Sequence, residues 1–159
     1  MPRVAAMAGL LLGAIVSIPW APSAMAAGGP DVASGQRVYK KANCVGCHKW
    51  HGGGGGGYGG AALSLRDTQL DRDQIIEVVR CGRPNTRMPY LDRRGYKELS
   101  CYDMAPVDAA PQAAVFLNER EIQAVVDYVT IKLQGKDEPT KEDCMAFWGA
   151  TSHECRAMK

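Results

Sequence analysis

Residues 44–48 of this 159-residue chain read Cys-Val-Gly-Cys-His, and no other stretch limits the possible folds so tightly. Two thiols three positions apart can each add across one vinyl group of a haem, which fixes the ring to the chain. The histidine that follows then lies under the iron as its proximal ligand. A redox dithiol would want a βαβ pattern around it and no adjoining histidine. A zinc site using His48 or His51 would want a second close pair of ligands, and none follows. Cys44, Cys47 and His48 therefore point to one covalently bound haem c, and to a chain that must wrap a porphyrin.

The N-terminus reads as an export signal. Arg3 precedes an apolar run from Val4 to Trp20, and Ala24-Met25-Ala26 is a small-x-small cleavage site, so residues 1–26 are expected to be a cleaved signal peptide. The apolar run is shorter than the about 20 residues of a membrane span, is interrupted by Gly13 and Pro19, and lacks a stop-transfer charge cluster. Cleavage leaves 133 residues, a one-domain length. With Arg3 gone, 18 basic residues face 17 acidic ones, too even a balance for a nucleic-acid or strongly charged membrane surface. Export implies the periplasm, an oxidising compartment in which cysteines not used by a cofactor pair.

The residues around the motif have helical spacing. Asp31 can cap a short helix carrying Val32, Gly35, Val38, Tyr39 and Ala42 towards one side and running into Cys44. A second helical stretch spans about Arg72 to Arg80. Asn118-Glu119-Arg120-Glu121 is a capping-box-like start, with Leu117 and Ile122 placed as a hydrophobic staple. Ile122, Val125, Val126 and Val129 then make an apolar stripe that Gly135 ends. With G-x-x-V-Y at Gly35–Tyr39 and V-x-Y-V at Val126–Val129, residues 31–135 resemble the class I c-type cytochromes. That resemblance implies an all-α fold, three to five helices around one covalently attached haem, over residues 27–135. In that family the first and last helices cross where a glycine admits an aromatic ring, and the matching positions are Gly35, Tyr39 and Tyr128. Residues 136–159 are expected to be a C-terminal extension.

Class I cytochromes commonly present the second axial ligand as Met-Pro from a loop. Met88-Pro89 matches, in the turn-rich segment Cys81 to Tyr90, and the proline biases Met88 to an extended conformation. The resemblance thus implies Met88 as distal ligand; Met104, in Cys101-Tyr102-Asp103-Met104, stays open as the rival. His51 is too close to His48 in sequence to reach across a ring, and His153 lies in the tail. The family also carries a loop after the proximal histidine, often ending Gly-Pro-x-Leu, whose backbone carbonyl accepts the histidine's other ring N–H. The corresponding run here is Gly60-Ala61-Ala62-Leu63, without the proline, so Ala61 or Ala62 is expected to supply the carbonyl. Gly52 to Gly60 would be the turn that leads there, its glycines permitting positive φ and close approach.

The remaining cysteines, Cys81, Cys101, Cys144 and Cys155, allow three pairings. The favoured one joins Cys81 to Cys101, closing the segment that contains Met88, and Cys144 to Cys155, stapling the tail; cross-pairing stays open. Arg80, Arg83, Arg87, Arg93 and Arg94 surround the methionine loop, and Lys40, Lys41 and Lys49 the attachment motif. Arg83 and Arg87 are candidates to meet the haem propionates, and the others a rim that steers an acidic partner to the haem edge. The resemblance implies an electron carrier with no catalytic residues. It would pass single electrons from a periplasmic dehydrogenase, such as a quinoprotein alcohol dehydrogenase, towards a terminal oxidase. Two alternatives stand beside it: a fixed haem subunit that docks through its tail, and a five-coordinate haem protein that binds or reduces a small ligand such as peroxide.

Overall fold

The computed structural model describes residues 29–104 and 111–158; the expected signal peptide lies outside the described residues. The Asp31 carboxylate accepts the Ser34 N–H at 3.0 Å and so caps α1, Val32–Lys41. Asn43, in the left-handed region at φ 57, then redirects the chain into the short α2, Cys44–His48. Reciprocal capping boxes open the other three helices: Asp71 with Gln74 at α3, Arg72–Cys81; Asn118 with Glu121 at α4, Glu119–Tyr128; Thr140 with Asp143 at α5, Lys141–Trp148. Each satisfies amide groups that a helix start otherwise leaves without partners. A π-helical turn, Val129–Leu133, prolongs α4, and Gly135 at φ 66 ends it by donating its N–H to the Arg66 carbonyl. No strand occurs among the described residues, so the fold is all-α. Among the same residues no helix is long and apolar enough to cross a membrane.

The core is organised where α1 crosses α4. A Cβ on Gly35 would land on the Ala124 carbonyl oxygen and lie 2.6 Å from Tyr128 Cβ, so only glycine lets the two backbones meet. One turn on, Tyr39 is fully buried with its ring centroid 5.3 Å from that of Tyr128. The α4 stripe of Ile122, Val125, Val126 and Val129, each exposed by 4% or less, meets Val38 of α1 and Ile75, Ile76 and Val79 of α3 in one cluster. The expected crossing of Gly35, Tyr39 and Tyr128 is therefore the one the chain adopts.

The C-terminal segment folds back onto this crossing. Phe147 of α5 is buried with its ring 6.4 Å from Tyr39, 6.0 Å from Trp50 and 6.5 Å from Tyr128. The Lys40 ammonium sits 4.3 Å above the Phe147 ring and donates to the Phe147 carbonyl. The structure joins Cys144 to Cys155 across a sequence separation of 11, a cross-link of about 3 kcal/mol in the chain-entropy picture. Phe147 is thus spent inside this chain's own core rather than held out to a partner.

Gly35→Ala tests the crossing. With no flexible side chain able to yield at the Ala124 carbonyl, it is expected to cost about 3 kcal/mol in denaturant unfolding, and a loss below about 0.5 kcal/mol would contradict the close approach.

Candidate haem-binding site

Helix α2 carries the attachment motif, and its last carbonyls have no helical partners to the C-terminal side. The glycine run supplies them. Gly57 N–H donates to the Gly46 carbonyl at 3.1 Å, Gly56 to Cys47 at 2.9 Å and Gly54 to His48 at 3.2 Å. The tract is therefore a C-terminal cap wrapped around α2. Gly54 and Gly57, at φ 69 and 73, take the left-handed conformation this wrapping needs. The loop also passes close to the thiol, since a Cβ on Gly57 would lie 3.3 Å from Cys47 Sγ.

The wrapped loop delivers a carbonyl to His48. Nδ1 of His48 lies 2.8 Å from the Leu63 carbonyl oxygen. A carbonyl can only accept, so the proton sits on Nδ1 and the Nε2 lone pair is left for a metal. Burial lowers the pKa of His48, with the Leu63 hydrogen bond opposing it in part, so the ring is neutral at neutral pH, as a ligand must be. The expected acceptors, the Ala61 and Ala62 carbonyls, do not hold this place. The Ala62 carbonyl accepts from Gly55 at 2.8 Å instead, which shifts the free carbonyl one residue on, to Leu63. On the far side of the motif, Tyr39 donates from its hydroxyl to the Lys49 carbonyl at 2.9 Å and ties the end of α2 to the core.

Met88 stands on a separate, tightly closed loop after α3. Its N–H donates to Thr86 Oγ1 at 3.2 Å and its carbonyl accepts from Arg83 at 3.4 Å. The loop rests on a small second core of Cys81, Tyr90, Tyr96 and Cys101, in which the structure joins Cys81 to Cys101. Met88 is half-buried, whereas Met104 is 44% exposed at the end of a tight turn from Cys101. His51 has its ring 5.2 Å from Trp50 and a buried Nδ1 with no hydrogen-bond partner, and burial lowers its pKa. His153 is exposed beside Glu154.

A family described as cytochrome c oxidase, cbb3-type, subunit III matches residues 30–101, the segment that runs from the cap of α1 through α2, the glycine loop and the Met88 loop. This domain is a c-type cytochrome. A curated protein, translation initiation factor 2 subunit alpha of Haloarcula marismortui (strain ATCC 43049 / DSM 3752 / JCM 8966 / VKM B-1809), is 35% identical over 92 residues, covering 52% of this chain. The chain spans only 35% of that protein's length, so its title carries no activity across. No solved structure matches.

The residues of the cytochrome fit a covalently bound haem c. Of the chain's six cysteines, only Cys44 and Cys47 are unpaired. Burial pushes the Cys44 thiol up to about 12, so it remains a neutral thiol at physiological pH. Beside them His48 is neutral and oriented, and the apolar side chain of Leu63 is 58% exposed. A haem bound here exchanges one electron between ferric and ferrous iron, which makes the cytochrome an electron-transfer protein with redox partners.

The basic rim is smaller than the sequence suggests. Arg80 pairs with Glu119, Arg94 with Asp92 at 2.6 Å, Lys41 with Glu121 at 2.5 Å, and Arg93 lies 4.4 Å over the Phe116 ring. Arg83 and Lys49 keep no acidic partner among the described residues, and Arg83 and Arg87 are both exposed on the Met88 loop.

Gly54 and Gly59 separate conformation from contact in the glycine loop. They share a φ, 69 and 68, but a Cβ on Gly54 would lie 2.6 Å from the Ala62 carbonyl oxygen while one on Gly59 meets nothing within 4 Å. Gly59→Ala is expected to cost about 1–2 kcal/mol for the left-handed φ alone, and Gly54→Ala about 1–3 kcal/mol more. Equal losses in the unfolding of the two variants would contradict the wrapped loop.

Proposed function

We propose that this protein is a monohaem electron carrier of the periplasm, with Cys44 and Cys47 as the attachment points, His48 as proximal ligand and Met88 as distal ligand. One observation carries the reading. The chain's only two unpaired cysteines stand on a single short helix with a histidine whose Nδ1–H is already committed to the Leu63 carbonyl. Thioether ligation from Met88 favours ferrous iron and raises the potential relative to two nitrogen ligands, which suits a carrier that accepts electrons from a dehydrogenase. The closed loop around Met88 supports that role, because a ligand that leaves and returns would slow electron exchange.

The donor is proposed to be a periplasmic dehydrogenase, of which a quinoprotein alcohol dehydrogenase is one type. The acceptor is proposed to be a terminal oxidase; the family description, a subunit of a cbb3-type oxidase, supports the direction. Docking is transient and centred on the haem edge, where Cys47 is exposed. Arg83, Arg87 and Lys49 supply the positive side chains that meet an acidic partner or the haem propionates. The same family description favours a second reading, a fixed haem subunit of an oxidoreductase complex. The inward packing of Phe147 counts against the tail as its docking element.

The ferric visible spectrum tests the ligand set. The wild type is expected to show the weak sulfur-to-iron band near the red end of the visible range, Met104→Ala to keep it and Met88→Ala to lose it. If Met88→Ala keeps the band, the distal ligand is misassigned, and a wild type that lacks the band and binds carbon monoxide tightly is five-coordinate.

A further inference from the structure

The backbone of Met88 is positioned from its own loop's first residue. Gly82, at φ 59, lies so near that a Cβ on it would land on the Met88 carbonyl oxygen, and the next residue, Arg83, donates its N–H to that same oxygen. Whatever holds Gly82 therefore holds Met88. The Gly82 carbonyl accepts the Tyr102 hydroxyl at 2.5 Å, from a segment twenty residues further along the chain.

Tyr102 is itself fixed at a conformational cost. It and Asp103 adopt consecutive left-handed conformations, φ 54 and 57, which residues with side chains rarely take and which persist only where the surroundings impose them. Two constraints impose this one. Tyr102 N–H donates to Glu77 Oε1 of α3 at 3.0 Å, and the neighbouring Cys101 is bonded to Cys81. Burial, with Glu77 nearby, holds the phenol above the usual tyrosine range although Arg83 opposes it, so the hydroxyl stays a donor. The other end of the loop is secured separately, by the Tyr96 hydroxyl to the carbonyls of Tyr90 at 3.2 Å and Pro111 at 2.7 Å.

We propose that Tyr102 is a positioning residue for the distal ligand: its hydroxyl bond to the Gly82 carbonyl keeps the Met88 loop shut and so sets how readily Met88 leaves the iron. This rests on the reading of Met88 as axial ligand.

The test uses purified ferric holoprotein titrated with imidazole, which competes for the distal position, while the sulfur-to-iron band is followed; thermal unfolding is measured alongside. Tyr102→Phe removes one oxygen and keeps the ring. It is expected to retain the band in the absence of imidazole and to lose it at roughly three- to tenfold lower imidazole than the wild type, the share of one hydrogen bond in loop opening. Glu77→Ala, which frees the Tyr102 backbone without touching the hydroxyl, is expected to shift the midpoint in the same direction by less. A lowered unfolding temperature with an unchanged imidazole midpoint in both variants would make Tyr102 a general stabiliser and overturn the proposal. If Tyr102→Phe does not accumulate as holoprotein, an unchanged midpoint in Glu77→Ala overturns it alone. Failure of the ligand reading shows itself earlier, as a band absent from the wild type or retained in Met88→Ala, and takes this proposal with it.

Discussion

The hydrogen bond from His48 Nδ1–H to the Leu63 carbonyl decides which ring nitrogen of His48 can bind a metal. By itself such a bond contributes about 1 kcal/mol, too little to orient a side chain unless both ends are already held. One end is held because α2 is closed by the glycine amides of Gly54, Gly56 and Gly57, which take up the carbonyls a short helix leaves open. The other end is held because the Gly55 N–H to the Ala62 carbonyl and the Leu65 N–H to the Gly52 carbonyl pin the returning arm of the same loop. A run of glycines beside an attachment motif thus acts as a fitted collar, and its entropy cost on ordering is met by hydrogen bonds that no bulkier sequence could make at those φ values.

The collar needs something rigid to stand on, and the α1–α4 crossing provides it. Tyr39 joins the two parts: its ring packs against Tyr128 in the crossing, and its hydroxyl reaches the Lys49 carbonyl at the end of α2. Phe147, brought back by the disulfide-closed tail, covers the same aromatic group from outside. The Met88 loop stands on different ground. Its support is the small cluster around Cys81–Cys101, with Tyr96 and Tyr102 bonded to backbone carbonyls at the two ends of the loop. His48 and its proposed partner ligand Met88 are thereby each held by a different cluster, and α3, which packs on the α1–α4 crossing and ends at Cys81, joins the two.

What could be read from the sequence, and what could not, follows from the kind of signal each feature leaves. Side-chain chemistry at fixed spacing is legible: the Asp31 and Asn118 caps and the stripe Ile122 to Val129 stand where the residue types place them, and the Gly35 crossing stands where the family resemblance implies it. The choice of Leu63 over Ala61 or Ala62 was not legible, because every residue carries the same carbonyl and only the loop's internal hydrogen bonds decide which one is left over. The same holds for Gly82, whose carbonyl rather than any side chain receives Tyr102. The arginine cluster misled for another reason. Sequence proximity placed Arg80 and Arg94 in a common basic rim, but α4 brings Glu119 from 39 positions beyond Arg80 to neutralise that corner.

Cys44 and Cys47 are left out of both disulfides, and the haem of a c-type cytochrome would take both, with His48 as its proximal ligand. Mass spectrometry of the purified, non-reduced protein tests this most directly, by the mass of the intact chain and of the peptide containing residues 44–48. One haem is expected on every chain, borne by that peptide through both cysteines, with the other four cysteines in two disulfides. A haem-free chain in which Cys44 is bonded to Cys47, or to any of Cys81, Cys101, Cys144 and Cys155, would contradict it.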